Sequence, residues 1–259
     1  MKAHAIIQAR FGAIRLPGKV LLKVMDKTIL EYAVERVKKS KAIEDIVVAT
    51  TTKESDLPIA NLVSRLNIKL YRGSEDDVLD RYYQAAKLFK IQHIARITAD
   101  CPLLDPGIIS DVVHCYFKNK ADYCSNTLEE TFPDGEDVEV FSFDALEYAW
   151  KNSSLLSERE HVTPYLKKHP EKFKLINFKN KENLSKKRWT LDTEADFKLI
   201  KTILESLYPI NPNFDMGDIL KFLKLNPELE ELNKNIIRNE GYLKSLKEDK
   251  ILGTKQRNK

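Results

Sequence analysis

No stretch of this chain approaches the roughly 18–20 apolar residues needed to span a bilayer. Glycine and proline are also scarce, 8 and 10 among 259 residues, too few for a collagen-like or low-complexity chain. There are three cysteines, Cys101, Cys115 and Cys124, an odd number without a CxxC spacing. That argues against a disulfide framework or structural zinc site and favours free buried thiols. The start, MKAHAIIQAR, lacks the long apolar core of an export signal because Gln8 and Arg10 interrupt it. A cytoplasmic protein with no membrane partner is expected. Charge of one sign is lacking as well. Residues 238–259 hold seven Lys/Arg and three acids, the whole of the +4 net charge, so residues 1–237 are neutral. A basic tail on a neutral body does not make a nucleic-acid surface, and no nucleic-acid partner is expected.

What is present is alternation. Ala3–Ile7, Asp45–Thr50, Ile68–Tyr71 and His93–Thr98 read as strands. Between and after them, apolar residues recur at helical spacing: Leu30/Ala33/Val34/Val37, Ile59/Leu62/Val63/Leu66, Leu79/Tyr82/Tyr83/Ala86 and Ile109/Val112/Val113/Tyr116. This βαβαβαβα order implies an α/β layered domain with a mainly parallel sheet, whose ligands sit beyond the carboxyl ends of the strands. The second half is less regular. Asp122–Ser125, Asp137–Phe143 and Phe173–Phe178 read as strands. Ser157 with Glu160 and Thr193 with Asp196 resemble capping boxes, and Pro164 should end or kink the first of these helices. Residues 215–246 are helical in pattern with a break near Asn226-Pro227. The expected organisation is a domain over 1–210, with an inserted hairpin region about 126–170, and a helical appendage over 211–259 ending in the basic tail. Strands without evident helical cover seldom stay stable alone, so a homodimer through 126–170 is expected.

The loop after the first strand carries Arg10, Gly12, Arg15, Gly18 and Lys19. Glycine backbone lets N–H groups approach an anion and the cations neutralise phosphate oxygens. It is not a Walker A loop, because five residues separate Gly12 from Gly18 and Val20 follows Lys19. Asp100, just past the fourth strand and near this loop, suits magnesium, which takes one or two carboxylates with waters and phosphate oxygens. Arg96, alternating with apolar residues in that strand, points either to a triphosphate or to a structural acid.

IIQARFGAIRLPGKVL (6–21) resembles the N-terminal signature of nucleotide-sugar cytidylyltransferases, in particular the SpsF-like branch of spore-coat polysaccharide biosynthesis proteins. RGSEDDVLDRYYQAA (72–86), RITADCPLLDP (96–106), FPDGEDVEVF (132–141), SEREHVTPY (157–165) and RWTLDTEADF (188–197) resemble that branch in order. One departure is Ala13, where related enzymes often carry Ser. The resemblance implies a three-layer α/β/α, Rossmann-like nucleotide-diphosphosugar transferase fold with a mixed, mainly parallel sheet. It implies magnesium as cofactor, held by Asp100 and, by similarity to the sugar-acid cytidylyltransferases, Asp192. CTP would meet Gln8, Ala9, Arg10, Gly12, Arg15, Lys19, Arg72, Ser74 and Arg96, with the Arg72–Ser74 loop facing the pyrimidine. Lys19, Arg15 and Asp100 would be catalytic. A small sugar acceptor would meet Asp134, Asp137 and Glu139, with Arg159 or His161 on its carboxylate. The implied reaction is CMP transfer from CTP with release of pyrophosphate, for a surface polysaccharide or glycoconjugate. Two other readings stand. A glycosyltransferase of the same fold would normally show a D-x-D motif, which Asp100-Cys101-Pro102 is not. A non-catalytic nucleotide-binding protein would not need both carboxylates and all three loop cations.

Overall fold

Small and β-branched residues open the chain as strand β1 (Ala3–Gln8), and every residue from Ala5 to Ile7 is fully buried. In a strand, successive side chains face opposite sides. Ala5 and Ile7 therefore enter one core, while Ile6 enters another. Both faces must be covered, as a mainly parallel sheet requires. A two-residue ribbon, β2 (Lys23–Val24) and β3 (Lys27–Thr28), leads into α1 (Ile29–Lys39), which starts with a capping box of Thr28 and Glu31. Then follow β4 (Ile43–Thr51), α2 (Leu57–Arg65), β5 (Lys69–Gly73), α3 (Val78–Leu88), β6 (His93–Thr98), α4 (Pro106–Asn119) and β7 (Tyr123–Ser125). Next come β8 (Glu139–Ser142), α5 (Phe143–Asn152), α6 (Leu156–His161), α7 (Pro164–Lys168), β9 (Leu175–Asn177), α8 (Glu194–Leu207), α9 (Met216–Leu225) and α10 (Glu240–Arg257). The structure is a computed structural model. It describes the backbone of residues 1–257 and the side chains of residues 1–249. Part of the basic tail, 250–259, therefore lies outside the described side chains.

Seven strands form one sheet in the order β5-β4-β1-β6-β8-β7-β9. Only β8 runs against its neighbours β6 and β7; the other pairs are parallel. Helices α1, α2 and α4 cover the Ala5/Ile7 face and α3, α5 and α7 the Ile6 face, giving three layers. A further core joins α8 and α9 to α1 through Trp189, Leu191, Ile200, Leu204, Phe214 and Tyr32. No helix of the described residues is long and apolar enough to cross a membrane.

Several local expectations change. Residues 126–170 are no extended hairpin: a loop over 126–138 leads to β8, which lies inside the sheet, and three helices follow. The uncovered strands on which a dimer was expected are therefore absent, since α4 and α5 pack on β8. Ser157 and Glu160 form no capping box. Helix α6 begins one residue earlier, and the Ser157 N–H donates to Asp249 of α10 at 3.1 Å, so a tertiary partner replaces the local cap. Pro164 does not kink that helix. The chain already turns at Val162, whose φ is 71°, and Pro164 opens α7. The Thr193–Asp196 box is formed. The break at Asn226-Pro227 is a 3-10 turn, Pro227–Leu232, and the chain does not become helical again until Glu240.

Candidate active site

Strands β1 and β6 end side by side, with Gln8 paired to Thr98, and the antiparallel β8 enters the same edge at Glu139 beside Arg96. The loop after β1 closes on itself, because Phe11 O accepts from Gly18 N–H at 2.8 Å and from Ala13 N–H at 2.8 Å. Gly18 sits at φ 71°, and a Cβ there would stand 2.7 Å from the Phe11 ring. Position 18 thus requires glycine. The turn drives Lys19 inward. Its Nζ donates to Asp100 at 2.5 Å, Asp192 at 2.8 Å and Leu191 O at 2.7 Å. Two carboxylates 92 positions apart in the chain meet on one ammonium. Burial alone would lower the pKa of Lys19, but Asp100 and Asp192 outweigh it and leave it raised.

Asp192 is held by two further cations, Arg15 at 2.8 Å and Arg188 at 2.7 Å. Burial opposes its charge, yet Lys19, Arg188 and Arg15 prevail and lower its pKa to about 2. Arg188 also donates to Asp196 at 2.9 Å and Asp134 at 2.5 Å, tying the start of α8 to the 126–138 loop. Gly135 secures that loop. Its φ is 112°, and a Cβ would lie 2.7 Å from the Thr190 backbone.

Two cavities, about 490 and 350 Å³, share Gln8, Arg15, Thr98, Asp100, His161, Asp192 and Gly241. The smaller holds Ala9, Arg10, Ala13, Lys19 and Arg81. The larger holds Arg96, Asp134, Asp137, Glu139, Lys167 and Arg188. The shared wall places the two carboxylates where contents of both cavities would meet. In the smaller one, Arg81 is 1% exposed and its Nε has no partner. Gln8 Oε1, between the two, is likewise buried and unpartnered. Orphaned buried polar atoms of this kind call for a bound partner.

In the larger cavity Glu139 accepts from Lys167 at 2.8 Å, Thr163 at 2.6 Å, Tyr123 at 2.5 Å and also from Arg96. Of the two roles open to Arg96, the structure shows the pairing with an acid, although its side chain still reaches the cavity wall. Burial favours the neutral Glu139, but Lys167 and Arg96 overcome it and hold the carboxyl well below its usual range. Asp137 accepts from Arg238 at 2.7 Å. Burial raises its pKa to about 7, with Arg238 opposing and Asp134 adding to the rise. Burial lowers the His161 pKa to about 4, so the imidazole is neutral.

Three expected residues lie elsewhere. Arg72 donates to Thr51 O and Lys53 O, both at 3.0 Å, at the end of β4. Ser74 Oγ accepts from the Asp77 N–H at 3.0 Å, at the start of α3. Arg159 binds Asp77, at 2.9 Å through Nε, and Trp150 O at 2.8 Å, locking α6 onto α3. None of the three lines either cavity. Gly12 packs toward Glu75, where a Cβ would meet Oε1 at 3.2 Å. Arg81, Lys167 and Arg188 were missed as site residues. Arg188 had a sequence signal, four residues before Asp192 in RWTLD, but Lys167 had none.

The donor set at the junction suits a hard divalent cation. Asp100 and Asp192 offer carboxylate oxygens on the shared wall. Among the described residues no group of three or more His, Cys, Asp or Glu gathers to form a metal site from protein alone. Magnesium characteristically takes only one or two carboxylates and completes its shell with waters and phosphate oxygens.

The family profile described as cytidylyltransferase matches residues 4–239, nearly the whole body of the chain. The chain is a member of the cytidylyltransferase family. It is 44% identical over 238 residues to the uncharacterized protein MJ1063 of Methanocaldococcus jannaschii, covering 91% of this chain and 96% of that one. It is 30% identical to the spore coat polysaccharide biosynthesis protein SpsF of Bacillus subtilis, over 86% of this chain and 94% of SpsF. A solved cytidylyltransferase from Leptospira borgpetersenii superposes with TM-score 0.86 at 35% identity, covering 92% of this chain and all of that one. A CMP:2-keto-3-deoxy-manno-octonic acid synthetase complexed with CTP superposes with TM-score 0.59 at 16% identity, 79% of this chain and 99% of that one, and shows the shared fold. This cytidylyltransferase is therefore a nucleotidyltransferase on a mixed, mainly parallel sheet, in agreement with the resemblance in its motifs.

Proposed function

We infer that this cytidylyltransferase moves CMP from CTP to a hydroxyl of a sugar acid, releasing pyrophosphate. The observation that carries this reading is Lys19 bridging Asp100 and Asp192 at the junction of two cavities. CTP occupies the smaller cavity, where Arg10, Arg15 and Lys19 neutralise its phosphates and Arg81 and Gln8 supply unused polar atoms. The acceptor occupies the larger one. Asp134, Asp137 and Glu139 there offer oxygens to sugar hydroxyls, and Lys167 and Arg188 offer cations to a carboxylate. The acceptor oxygen attacks the α-phosphorus and the bond to the β-phosphate breaks. The hydroxyl proton leaves to solvent or to a cavity carboxylate. Magnesium, held by Asp100 and Asp192, would supply Lewis-acid stabilisation of phosphate charge. Lys19 then turns from the two carboxylates toward the leaving pyrophosphate, where charge grows.

The sugar-acid class is supported by a 31% match, over 44% of this chain, to the 3-deoxy-manno-octulosonate cytidylyltransferase of Syntrophotalea carbinolica. The SpsF relative supports a role in making surface polysaccharide. The test is pyrophosphate release across four nucleoside triphosphates and a panel of sugar acids, amino sugars and sugar phosphates, with and without EDTA. Release that needs CTP, magnesium and a sugar acid is expected. Release of a nucleoside diphosphate from a nucleotide sugar, or CTP binding without turnover on any acceptor, would overturn the reading.

A further inference from the structure

Helix α10 lies across the wall that the two cavities share. Gly241 lines both, Glu240 and Tyr242 line the larger, and Lys244, Ser245 and Glu248 line the smaller. The family match stops at residue 239, immediately before this helix. Its attachment is almost wholly polar, since between residues 240 and 249 Ser245 alone is buried. Ser245 Oγ donates to Glu160 at 2.6 Å and stands 3.1 Å from His161 Nε2. Tyr242 meets His161 edge to face with centroids 5.1 Å apart. At the end over the cleft, Arg15 donates to Glu240 and, through its other terminal nitrogen, to Asp192.

We propose that Glu240 holds on Arg15 the place of a triphosphate oxygen, so that CTP displaces it and releases the first turns of α10 from the cleft. This rests on the reading of Arg15 as a triphosphate ligand. The side chains of Arg15 and Glu240 are 34% and 56% exposed, and ion pairs this open add little stability. A triphosphate carries more charge than one carboxylate and offers the guanidinium paired oxygens. Lifting this end of α10 uncovers little apolar surface, because Leu243 is already exposed. In the unliganded protein Glu240 therefore competes with the substrate and weakens its apparent affinity.

The test is calorimetric titration with CTP and magnesium of the wild type, Glu240→Gln and Glu248→Gln, together with amide hydrogen exchange of residues 238–249 with and without CTP. Glu248 is the control, an acid of the same cavity that faces Lys244 at 3.9 Å. Glu240→Gln should bind CTP about two- to fivefold more tightly, in line with the strength of exposed pairs. Glu248→Gln should change less, and CTP should speed exchange in the wild-type segment. Equal or weaker binding by Glu240→Gln, an equal gain in Glu248→Gln, or slower exchange on adding CTP would each overturn the proposal while leaving CTP binding intact. Failure of the wild type to bind CTP would overturn the parent reading, and this one with it.

Discussion

The smaller cavity is lined by cations that one short loop presents, and their partners sit at exposed or junction positions that a ligand can take over. The larger cavity is lined by charges already committed to each other deep in the fold: Glu139 with Arg96, Lys167, Tyr123 and Thr163, and Arg188 with Asp134 and Asp196. The first arrangement reserves charge for a changing ligand. The second fixes a shape and leaves only the rims of its side chains for recognition. A charge change on the larger side should therefore register first as lost stability, and one on the smaller side as lost rate.

The largest expected effect lies on the larger side. Glu139→Gln leaves Arg96 and Lys167 facing a neutral amide in a nearly dry site. Breaking a buried ion pair by removing one partner typically costs about 3–5 kcal/mol. Denaturant unfolding should show a loss of that order, with m unchanged. A loss below about 1 kcal/mol would mean the cluster is solvated like the other side, and the contrast would fail.

On the smaller side, Lys19→Ala should raise the reaction barrier by about 2–4 kcal/mol, comparable to losing an oxyanion donor. CTP affinity should fall by less, because the ammonium is drawn most strongly by charge that develops on the departing pyrophosphate. Lys19→Arg should recover only part of the rate, since a planar fork replaces a compact ammonium. Single-turnover rates set against CTP dissociation constants decide this. A large loss of affinity with an unchanged rate would place Lys19 in ground-state binding. Asp192→Asn should also lose rate, and its response to magnesium should shift to higher concentrations. An unaltered magnesium titration would remove Asp192 from the metal site.

A smaller effect is expected at the loop that shapes the larger cavity. Gly135→Ala puts a Cβ against the Thr190 and Trp189 backbone at φ 112°. The strain should cost on the order of 1–3 kcal/mol. If the loop tolerates alanine, the 126–138 segment is not the rigid wall described here.

The contrast also separates what the sequence revealed from what it hid. The four parallel strands and their helices were legible because each has its own period, and the loop cations because they fall within ten residues after a strand. Asp100 could be read from its place after β6. Asp192 needed the family motif, because only the fold brings it to Lys19. The larger cavity was largely hidden. Lys167 is one lysine in a Lys-Lys pair, and nothing local distinguishes it from its neighbour until β8 places Glu139 beneath it. Arg72 and Arg159 carried charge in suggestive motifs, but backbone carbonyls and Asp77 had already engaged them. The hairpin expectation failed for the same reason. The short run at Glu139 gives no sign that it pairs into the centre of the sheet.

The smallest expected effect is at His161, the residue where the two cavities and α10 touch. Its folded pKa is lowered to about 4, by burial first and by Arg96 and Arg10 in addition, against Glu160 and Glu139. In the unfolded chain a histidine titrates near 6.5. As pH falls below about 6.5 the unfolded state takes the proton first. The stability tied to the neutral ring is therefore complete above about pH 6.5 and is lost as pH falls toward 4. Asp137 works in the opposite sense over the same range. Its folded pKa, about 7, lies above the unfolded value, so its penalty is relieved as pH falls. The wild-type profile alone thus cannot isolate the imidazole, whereas its difference from His161→Gln can. That difference should shrink by on the order of 1 kcal/mol between pH 6.5 and 4.5, discounted because the His161 side chain is 27% exposed. A difference independent of pH, or a His161 NMR titration midpoint near 6.5, would show the ring to be open to water. The junction would then belong to the exchangeable side of the molecule rather than to the fixed one.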